Sequence, residues 1–472
     1  MMKKVLLINT NTEKAPYPVP PFGLCLIARS IEKSFEVVLF DAVTQKKEEL
    51  LEKLVEMNPD YIGISIRNID NVVMGRQVFY LPDIIKNYIS MVQVNTKATL
   101  ILGGSGFSLF AEEILTATGV KYGIVGEGES SFSQLLDSLE HNKEPEGISG
   151  VIYKINNHYR VNPPVFSLKM ADIPFSRMYD LVRLDIYRER GSYPIQTKRG
   201  CIYSCIYCSY PNLEGRTYRL RNPEEIVDEI QDAQEKLGDV LFEFVDSTFN
   251  SPSGHAESIC EEIIRRKLKV RLRTMGINPR ETSGSLFTLM KSAGFAQIDC
   301  TPDTASRSML KTMKKNFSLE QLQSCADLIR SYDMPTMWFF MFGGPGETIE
   351  TVKETFSFID HFVSEKDMVF IGEGIRIIPQ TELYNVALKQ GLIKENESLL
   401  EPVYYVSPDI DKNKLSELLQ TEISKRQNIV HALDSVPTSE MLSEAISLRN
   451  SQNLSEPMFR TLLRLKHKYT RQ

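Results

Sequence analysis

Short apolar runs alternate with helical patterns over the first 140 residues of the chain. The segments 46–57 and 110–119 carry apolar residues at helical spacing, and Gly119 ends the second of them. The runs with the length and composition of buried strands are 3–9, 36–42, 61–66, 99–104 and 122–126. Because strands that alternate with helices form right-handed βαβ units, residues 1–145 predict a doubly wound, Rossmann-like α/β domain whose ligand lies at the carboxyl ends of the strands.

Residues 146–188 interrupt this alternation. The segment holds Pro163, Pro164 and Pro174 and has little helical period, which is typical of a linker. Within it, the stretch 150–162 indicates a small hairpin.

A second series of strands and helices occupies residues 189–395. Its strand-like runs are 193–198, 240–245, 270–275, 296–301, 336–342 and 374–379. A helix is predicted from Pro223, with Asn222 as its N-cap and Gly238 at its end. Six βα units are too few for a closed eight-stranded barrel, so we expect a partial, open barrel. Residues 396–472 are charged, helical in pattern and without strong strand signals, and they predict a small helical C-terminal domain.

Composition and charge restrict the classes of function. The chain has 472 residues, which predicts two or three domains, and its net charge of −6 argues against nucleic acid or an anionic membrane as the main partner. No apolar run reaches the roughly 18 residues of a membrane span, and the run near the N-terminus is too short for a signal peptide. Seven cysteines, three of them within eight residues, indicate metal chemistry in a reducing cytoplasm rather than a disulfide framework.

The three crowded cysteines have the spacing C-x3-C-x2-C in RGCIYSCIYCSY at 199–210. Three thiolates on one loop bind three irons of a four-iron cubane and leave the fourth iron open to a small chelating ligand. The alternatives are a chance grouping of buried cysteines and a structural zinc site. A zinc site needs four nitrogen or sulfur ligands, and the nearest candidates, His255 and Cys260, lie far downstream. Cys260, Cys300 and Cys325 are isolated in apolar surroundings, which is typical of small buried side chains.

Placed at the end of the first strand of the second series, this motif resembles the radical S-adenosylmethionine (radical SAM) superfamily over about residues 190–395. The resemblance implies a four-iron, four-sulfur cluster on Cys201, Cys205 and Cys208. It also implies SAM contacts at Tyr207, Asp246, Arg273, Asp303, Gly343, Gly344 and Pro379. The alternative for these polar and glycine positions is structural, because aspartates cap helices and glycines form tight turns. Thr301 and Pro302 depart from the glycine pattern that often follows the fourth strand in this superfamily.

A doubly wound domain ahead of a radical SAM core is an arrangement that resembles the cobalamin-binding class of that superfamily. The whole chain therefore resembles the class B radical SAM methyltransferases. Glycine-bearing loops follow the fourth and fifth strands, where a ligand can approach the backbone closely. The resemblance implies cobalamin contacts at Ser65, Arg67, Gly103, Gly104, Ser105, Gly106, Gly126, Glu127 and Gly128.

The cobalamin signature D-x-H-x-x-G is absent, and residues 1–140 contain no histidine. If cobalamin binds here, no imidazole of residues 1–140 can therefore ligate the cobalt, and His141 is the first histidine of the chain. We place Arg67 beneath the cobalt without coordination, because a guanidinium has no lone pair to give. Alternatively, Arg67 pairs with Asp70 or with another carboxylate at the sheet edge.

The resemblance implies reductive cleavage of SAM to a 5′-deoxyadenosyl radical and methyl transfer from methylcobalamin to an unactivated carbon, or to phosphorus, of a small molecule. Two alternatives stay open: a cobalamin-dependent cyclase, oxidase or ring-rearranging enzyme, and a non-catalytic iron–sulfur or corrinoid-binding protein. A methylthiotransferase is disfavoured because only Cys25 precedes the motif. The expected partners are the substrate and an electron donor such as flavodoxin or ferredoxin, and no catalytic residue beyond the cluster ligands is predicted.

Overall fold

The computed structural model describes residues 2–14, 17–434 and 437–469. The strands of the first sheet are β1 (Lys3–Asn9), β2 (Phe35–Asp41), β3 (Tyr61–Ser65), β4 (Thr99–Gly103), β5 (Tyr122–Ile124), β6 (Val151–Ile155) and β7 (His158–Val161). They lie in the order β2-β1-β3-β4-β5-β6-β7, and β1 to β5 run parallel. The predicted doubly wound parallel sheet is therefore confirmed.

Helices cover both faces of this sheet. They are α1 (Phe22–Ile31), α2 (Lys47–Met57), α3 (Leu81–Ile84), a π-helix (Ile85–Ile89), α4 (Ser90–Asn95), α5 (Ser105–Leu109), α6 (Ala111–Thr118) and α7 (Glu129–Glu140). Val5 and Leu7 pack with α1 and α7 on one face, whereas Leu6 and Ile8 pack with α2 on the other. Burial on both faces explains why the strands are continuous apolar runs in the sequence.

The hairpin indicated within 146–188 is present, and it extends the first sheet. Tyr153 lies opposite Tyr122 and Val151 lies opposite Ile124 in antiparallel register, and β7 follows on the outer side of β6. The pairing covers the edge that β5 would otherwise leave open.

The strands of the second half are β8 (Tyr193–Ile195), β9 (Lys198–Arg199), β10 (Arg219–Leu220), β11 (Leu241–Phe244), β12 (Arg271–Ile277), β13 (Phe295–Asp303), β14 (Thr336–Phe342), β15 (Met368–Glu373), β16 (Ile375–Arg376), β17 (Tyr404–Tyr405) and β18 (Ile429–His431). Seven of them form a parallel sheet in the order β8-β11-β12-β13-β14-β15-β18. Because β8 and β18 are the two edges of this sheet, the barrel is open, as expected. The antiparallel pairs β9–β10 and β16–β17 are separate from it.

The sixth strand lies earlier than its predicted position. The sequence favoured 374–379, but the strand is β15 at 368–373. Gly374 adopts a φ of +71° and ends it, so that the next two residues form β16 and pair with β17 instead.

The helices of the second half are α8 (Asp185–Arg190), α9 (Tyr210–Glu214), α10 (Pro223–Leu237), α11 (His255–Arg265), α12 (Gly284–Ala293), α13 (Arg307–Thr312), α14 (Leu319–Ser331), α15 (Ile349–Phe362), α16 (Glu382–Lys389), α17 (Lys412–Ser424), α18 (Ser439–Gln452) and α19 (Met458–Tyr469). The start of α10 is confirmed, since the Asn222 side chain accepts the Glu224 N–H. No helix within the described parts of the chain is long and apolar enough to cross a membrane.

The C-terminal segment is not purely helical, contrary to the prediction for 396–472. Strand β18 pairs with β15 as a seventh parallel strand, and three residues are too few to give a strand signal. Phe459 and Leu463 of α19 pack against Met368, Met337 and Phe370. Successive side chains of a strand point to opposite faces of the sheet. Trp338 of β14 and Val369 of β15 pack under the outer helices, so Met337 and Met368 point inward, and α19 covers the inner face of the sheet there.

Candidate functional site

A cavity of about 690 Å³ lies between the carboxyl ends of the two sheets. The barrel contributes side chains from β11 and β12 and from α9, the short helix that directly follows the third cysteine of the motif. All nine residues predicted to contact cobalamin line the other side: Ser65, Arg67, Gly103, Gly104, Ser105, Gly106, Gly126, Glu127 and Gly128. The fold therefore joins loops that are far apart in the sequence into one wall.

Glycine is required in this wall where the loop after β4 presses against the loop after β3. Gly104 has a φ of +104°, and a Cβ atom there would lie 2.6 Å from the Ile66 carbonyl oxygen. The Ser105 hydroxyl donates to the Arg67 carbonyl at 3.1 Å, and the Gly126 N–H donates to the Ser108 hydroxyl at 3.0 Å. These contacts hold the loops close to one another, so that backbone and small side chains line this part of the cavity.

Arg67 is exposed and lines the cavity. Its guanidinium donates to the Asn68 side chain at 3.3 Å. Asp70 instead pairs with Arg376 of the barrel at 3.1 Å, so the alternative that Arg67 pairs with Asp70 is wrong. Arg376 lies on β16, and both it and Asp70 are buried and line the cavity. This ion pair therefore joins the two halves of the chain across the cavity.

Glu127 lines the cavity, but its carboxylate is engaged by the barrel. Arg219 binds both of its oxygens at 2.5 and 2.9 Å, and Arg199 lies 3.2 Å from one of them. Arg199 also binds both oxygens of Glu129. Burial alone would raise the pKa of Glu129, but the Arg199 guanidinium outweighs burial, so this pKa lies below its usual value. The loop therefore offers its backbone, and not the Glu127 carboxylate, to a ligand.

The cysteine loop begins at Gly200, whose φ of +88° brings its Cα close to the Thr217 carbonyl. Backbone hydrogen bonds fix the loop, since the Cys201 N–H donates to Gly215 and the Cys208 N–H donates to Cys205, each at 3.1 Å. All seven cysteines are free thiols. Burial raises the pKa of the Cys208 thiol to about 12.

The donor set fits a cluster better than a single ion. Within the described residues, no three His, Cys, Asp or Glu side chains converge on one metal position. A cubane places each thiolate on a different iron, so it needs no such convergence. Cys25, Cys260, Cys300 and Cys325 are buried in the core, as expected for the last three from their apolar surroundings.

Two predicted SAM residues form a buried cluster with a lysine that the sequence did not indicate. The Tyr207 hydroxyl donates to Asp303, and the Lys315 ammonium lies 2.6 Å from Asp303 and 3.2 Å from the Tyr207 hydroxyl. Burial would lower the pKa of Lys315, but Asp303 and the neighbouring thiols raise it above its usual value, so the lysine is charged. Its position after α13 follows no motif, so the sequence carried no signal for it.

Asp246 is buried, and protein donors engage both of its oxygens. It accepts from the Thr197 N–H at 2.8 Å, the Thr197 hydroxyl at 2.6 Å, the Lys198 N–H at 3.2 Å and the Lys198 ammonium at 3.3 Å. This arrangement does not leave Asp246 free for SAM. It holds the strand β9, which leads directly into the cysteine loop.

Arg273 lies in a polar layer inside the barrel. It pairs with Glu243 at 2.9 Å and packs on the ring of Tyr17, with 4.1 Å between the guanidinium carbon and the ring centroid. Asp299 is buried in the same layer, and burial raises its pKa to about 7. Neither Tyr17 nor Asp299 was predicted; the single charge in the apolar strand β11, Glu243, was the available signal.

The remaining SAM positions form turns at the rim of the barrel. Gly343 has a φ of +96°, and a Cβ atom on Gly344 would lie 2.9 Å from the sulfur of Met313. The Met313 carbonyl accepts the Ile206 N–H, so this turn packs against the residue that anchors the cysteine loop. Pro379 is half-buried in the turn before α16, and none of the seven predicted SAM residues lines the large cavity.

Two family models match the chain in the order of its two halves. The B12 binding domain matches residues 8–136, and the Radical SAM superfamily matches residues 195–359. An uncharacterized methyltransferase of Pyrococcus horikoshii is 25% identical over 367 residues, which is 75% of this chain and 77% of that relative. The tryptophan 2-C-methyltransferase of Streptomyces laurentii is 24% identical over 447 residues, which is 80% of this chain and 74% of that relative.

A cyclase is also among the relatives: the anaerobic magnesium-protoporphyrin IX monomethyl ester cyclase of Rubrivivax gelatinosus is 24% identical over 380 residues, 75% of this chain and 65% of that relative. The solved structure of TsrM from Kitasatospora setae, a radical SAM methyltransferase with cobalamin and a 4Fe–4S cluster bound, matches with a TM-score of 0.82 at 21% identity, covering 100% of both chains. This likeness establishes the shared fold. The chain belongs to the radical SAM enzymes that carry an N-terminal B12-binding domain.

Proposed function

We propose that this chain is a cobalamin-dependent radical SAM methyltransferase that methylates an unactivated carbon, or a phosphorus, of a small molecule. The observation that carries the proposal is the shared cavity. Its one wall is built from the loops predicted to hold cobalamin, and its opposite wall includes Ser209, Tyr210, Leu213 and Glu214, which directly follow Cys208. A ligand on the first wall therefore lies next to the cysteine loop.

The residues present fit the cofactors of this family. Cys201, Cys205 and Cys208 would hold the cluster, and the loops after β3, β4 and β5 would hold cobalamin. When bound, the cluster and SAM supply the radical chemistry and methylcobalamin supplies the methyl group. The chain positions the substrate and excludes water: Val245 and Met275 line the barrel side of the cavity, and α19 covers the inner face of the sheet.

We propose that Arg67 would face the cobalt of a bound cobalamin without coordinating it, because a guanidinium has no lone pair to give. In support, the domain has no histidine before His141, and Arg67 faces the cavity with no carboxylate of the described residues within ion-pair distance. A change of Arg67→His would place an imidazole at this position. An altered visible spectrum of the bound cobalamin is expected, and an unchanged spectrum and turnover would contradict the placement.

The proposed function is tested by anaerobic purification with iron, sulfide and corrinoid quantification, followed by incubation with SAM, a reductant and candidate small molecules. We expect about four irons and one corrinoid per chain and 5′-deoxyadenosine as a product. The variant with Cys201, Cys205 and Cys208 replaced by alanine should lack iron, whereas Cys300→Ala, which removes a thiol of the core, should keep it. If the wild type forms no more 5′-deoxyadenosine than the variant without Cys201, Cys205 and Cys208, the proposal that the chain is an enzyme is contradicted.

Product mass separates methyl transfer from the alternative outcomes. A product whose accurate mass exceeds that of its substrate by one methylene unit supports methylation, whereas an unchanged mass, a loss of hydrogens or a gain of oxygen supports ring rearrangement, cyclisation or oxidation. We also propose that a flavodoxin or ferredoxin supplies the electron. Replacing the chemical reductant by either protein with its reductase should sustain turnover.

A further inference from the structure

We propose that Arg199 is a positioning residue that couples the two cofactor sites, so that cobalamin and the iron–sulfur cluster each bind more tightly when the other is present. The proposal rests on the proposed function, because it needs both cofactors. It is carried by a buried group of two arginines and two glutamates that joins the loop after β5 to the cysteine loop.

On the cobalamin side, the group holds the loop that contains Gly126, Glu127 and Gly128. Arg199 binds Glu129 through two hydrogen bonds and lies 3.2 Å from Glu127. Arg219 binds both oxygens of Glu127. The side chains of all four residues are at most 14% exposed, so water does not screen these contacts strongly. The position of this cavity loop therefore depends on the two arginines.

On the cluster side, the same arginines hold the backbone on both sides of the first cysteine. Arg199 and Arg219 lie opposite each other in the β9–β10 pair, and Arg199 is two residues before Cys201. Arg219 donates to the Glu214 carbonyl at 2.9 Å, and the next residue, Gly215, accepts the Cys201 N–H. A shift of either arginine therefore moves the backbone that presents the first thiolate.

The energetics favour movement of both loops together. Two guanidinium groups neutralise two carboxylates in a buried place, and separating them leaves charges without partners, which is far more costly than separating an exposed pair. An arginine presents its five donors in a rigid planar group, whereas a lysine is a compact charge on a flexible chain and fixes its partners less firmly. A cofactor that orders one loop therefore orders part of the other, and the second cofactor has less ordering left to do.

A second buried ion pair across the cavity provides a matched control. Asp70 and Arg376 also join the two halves of the chain, and both line the same cavity. Arg376 lies 168 residues after Cys208, and its other hydrogen bonds go to the carbonyls of Ile377, Leu399 and Leu400, none of which belongs to the cysteine loop. Loss of the Arg376 side chain should weaken cobalamin binding but leave the coupling between the two cofactors unchanged.

The experiment measures the dissociation constant of hydroxocobalamin for the full chain with its cluster reconstituted and for the same preparation stripped of iron. In the wild type, the cluster should tighten cobalamin binding by roughly tenfold, within the usual range of such couplings. In Arg199→Met the ratio should fall to about one. In Arg376→Met, cobalamin should bind more weakly in both states, with the wild-type ratio retained.

A second readout follows from the reciprocity of coupling, since cobalamin must stabilise the cluster by the same factor. The chelator concentration that removes half of the iron at equilibrium should rise when cobalamin is added to the wild type or to Arg376→Met, and it should not change in Arg199→Met. Should Arg199→Met fail to fold, Glu129→Gln, which keeps a hydrogen-bonding group, tests the same contact. A wild-type ratio of one, or a ratio retained in both variants, overturns the coupling, whereas absence of cobalamin binding altogether overturns the proposed function itself.

Discussion

The two edges that face the cavity use their polar groups differently. On the N-terminal edge, the loops after β3 and β4 present glycine, serine and backbone to the cavity, with Arg67 as an exposed cation, and apolar side chains such as Phe22, Ile27 and Phe110 line the rest. On the barrel side, Asp246, Arg273 and Asp303 lie outside the cavity lining, and each is engaged in a buried ion pair. The first edge is suited to a broad ligand that lies flat on the backbone, whereas the second uses its charges to fix the segments around the cysteine loop. Substitutions should therefore have opposite consequences on the two edges.

The largest effect on stability is expected for Asp246→Ala. The change leaves the buried Lys198 ammonium without its carboxylate, and breaking such a pair costs about 3–5 kcal/mol. Asp239→Ala is the control, because the Asp239 side chain is 77% exposed in its pair with Arg271 and should cost less than about 1 kcal/mol. Thermal unfolding of both variants measures the difference, and equal melting temperatures would show that Asp246 is not structural.

Asp299→Asn should change the pH dependence of stability. Burial raises the pKa of Asp299 to about 7, compared with about 3.9 in an unfolded chain. Between these values the folded state binds the extra proton, so the wild type loses stability as the pH rises from about 4 to 7. The variant avoids this loss and should gain about 2–4 kcal/mol relative to the wild type between pH 4 and pH 8. If the melting temperatures of the two proteins change in parallel across this range, Asp299 does not have a raised pKa.

Gly104→Ala should affect both stability and ligand binding at the N-terminal edge. The new Cβ would lie 2.6 Å from the Ile66 carbonyl in a left-handed conformation, at a cost of about 1–3 kcal/mol. Gly119→Ala is the control, because Gly119 also has a positive φ but has nothing within 4 Å of its Cβ position. Cobalamin titration should show weaker binding for Gly104→Ala alone, and equal effects of the two changes would contradict a tight approach of the two loops.

The smallest effect on stability is expected for Arg67→Ala. The side chain is exposed and lies in no ion pair of the described residues, so the free energy of unfolding should change by no more than about 0.5 kcal/mol. Differential scanning calorimetry of the cofactor-free protein checks this. A large loss would mean that Arg67 supports the fold and would remove the contrast between the two edges.

Much of the fold and one edge of the site could be predicted from the sequence, because both depend on local patterns. The apolar runs gave the five parallel strands of the first sheet, and glycines at strand ends identified loops that share one cavity. The charged residues of the barrel could not be assigned in this way. The partner of Asp246 lies 48 residues earlier and that of Arg273 lies 30 residues earlier, so each pairing depends on strand register. Lys315 and the three-residue strand β18 carry no local signal at all.

The buried ion pairs on the two rims of the cavity affect the time for which a ligand stays bound. Asp70–Arg376 closes one rim, and the Glu127 and Glu129 contacts with Arg199 and Arg219 close the other. A corrinoid whose exit requires more room at either rim leaves only when these contacts open, and each opening exposes buried charges. Slow exchange follows, with release governed by the opening of the protein rather than by the strength of the ligand's own contacts. Corrinoid added to the folded protein should therefore be taken up slowly, and titrations should need a long time to reach equilibrium.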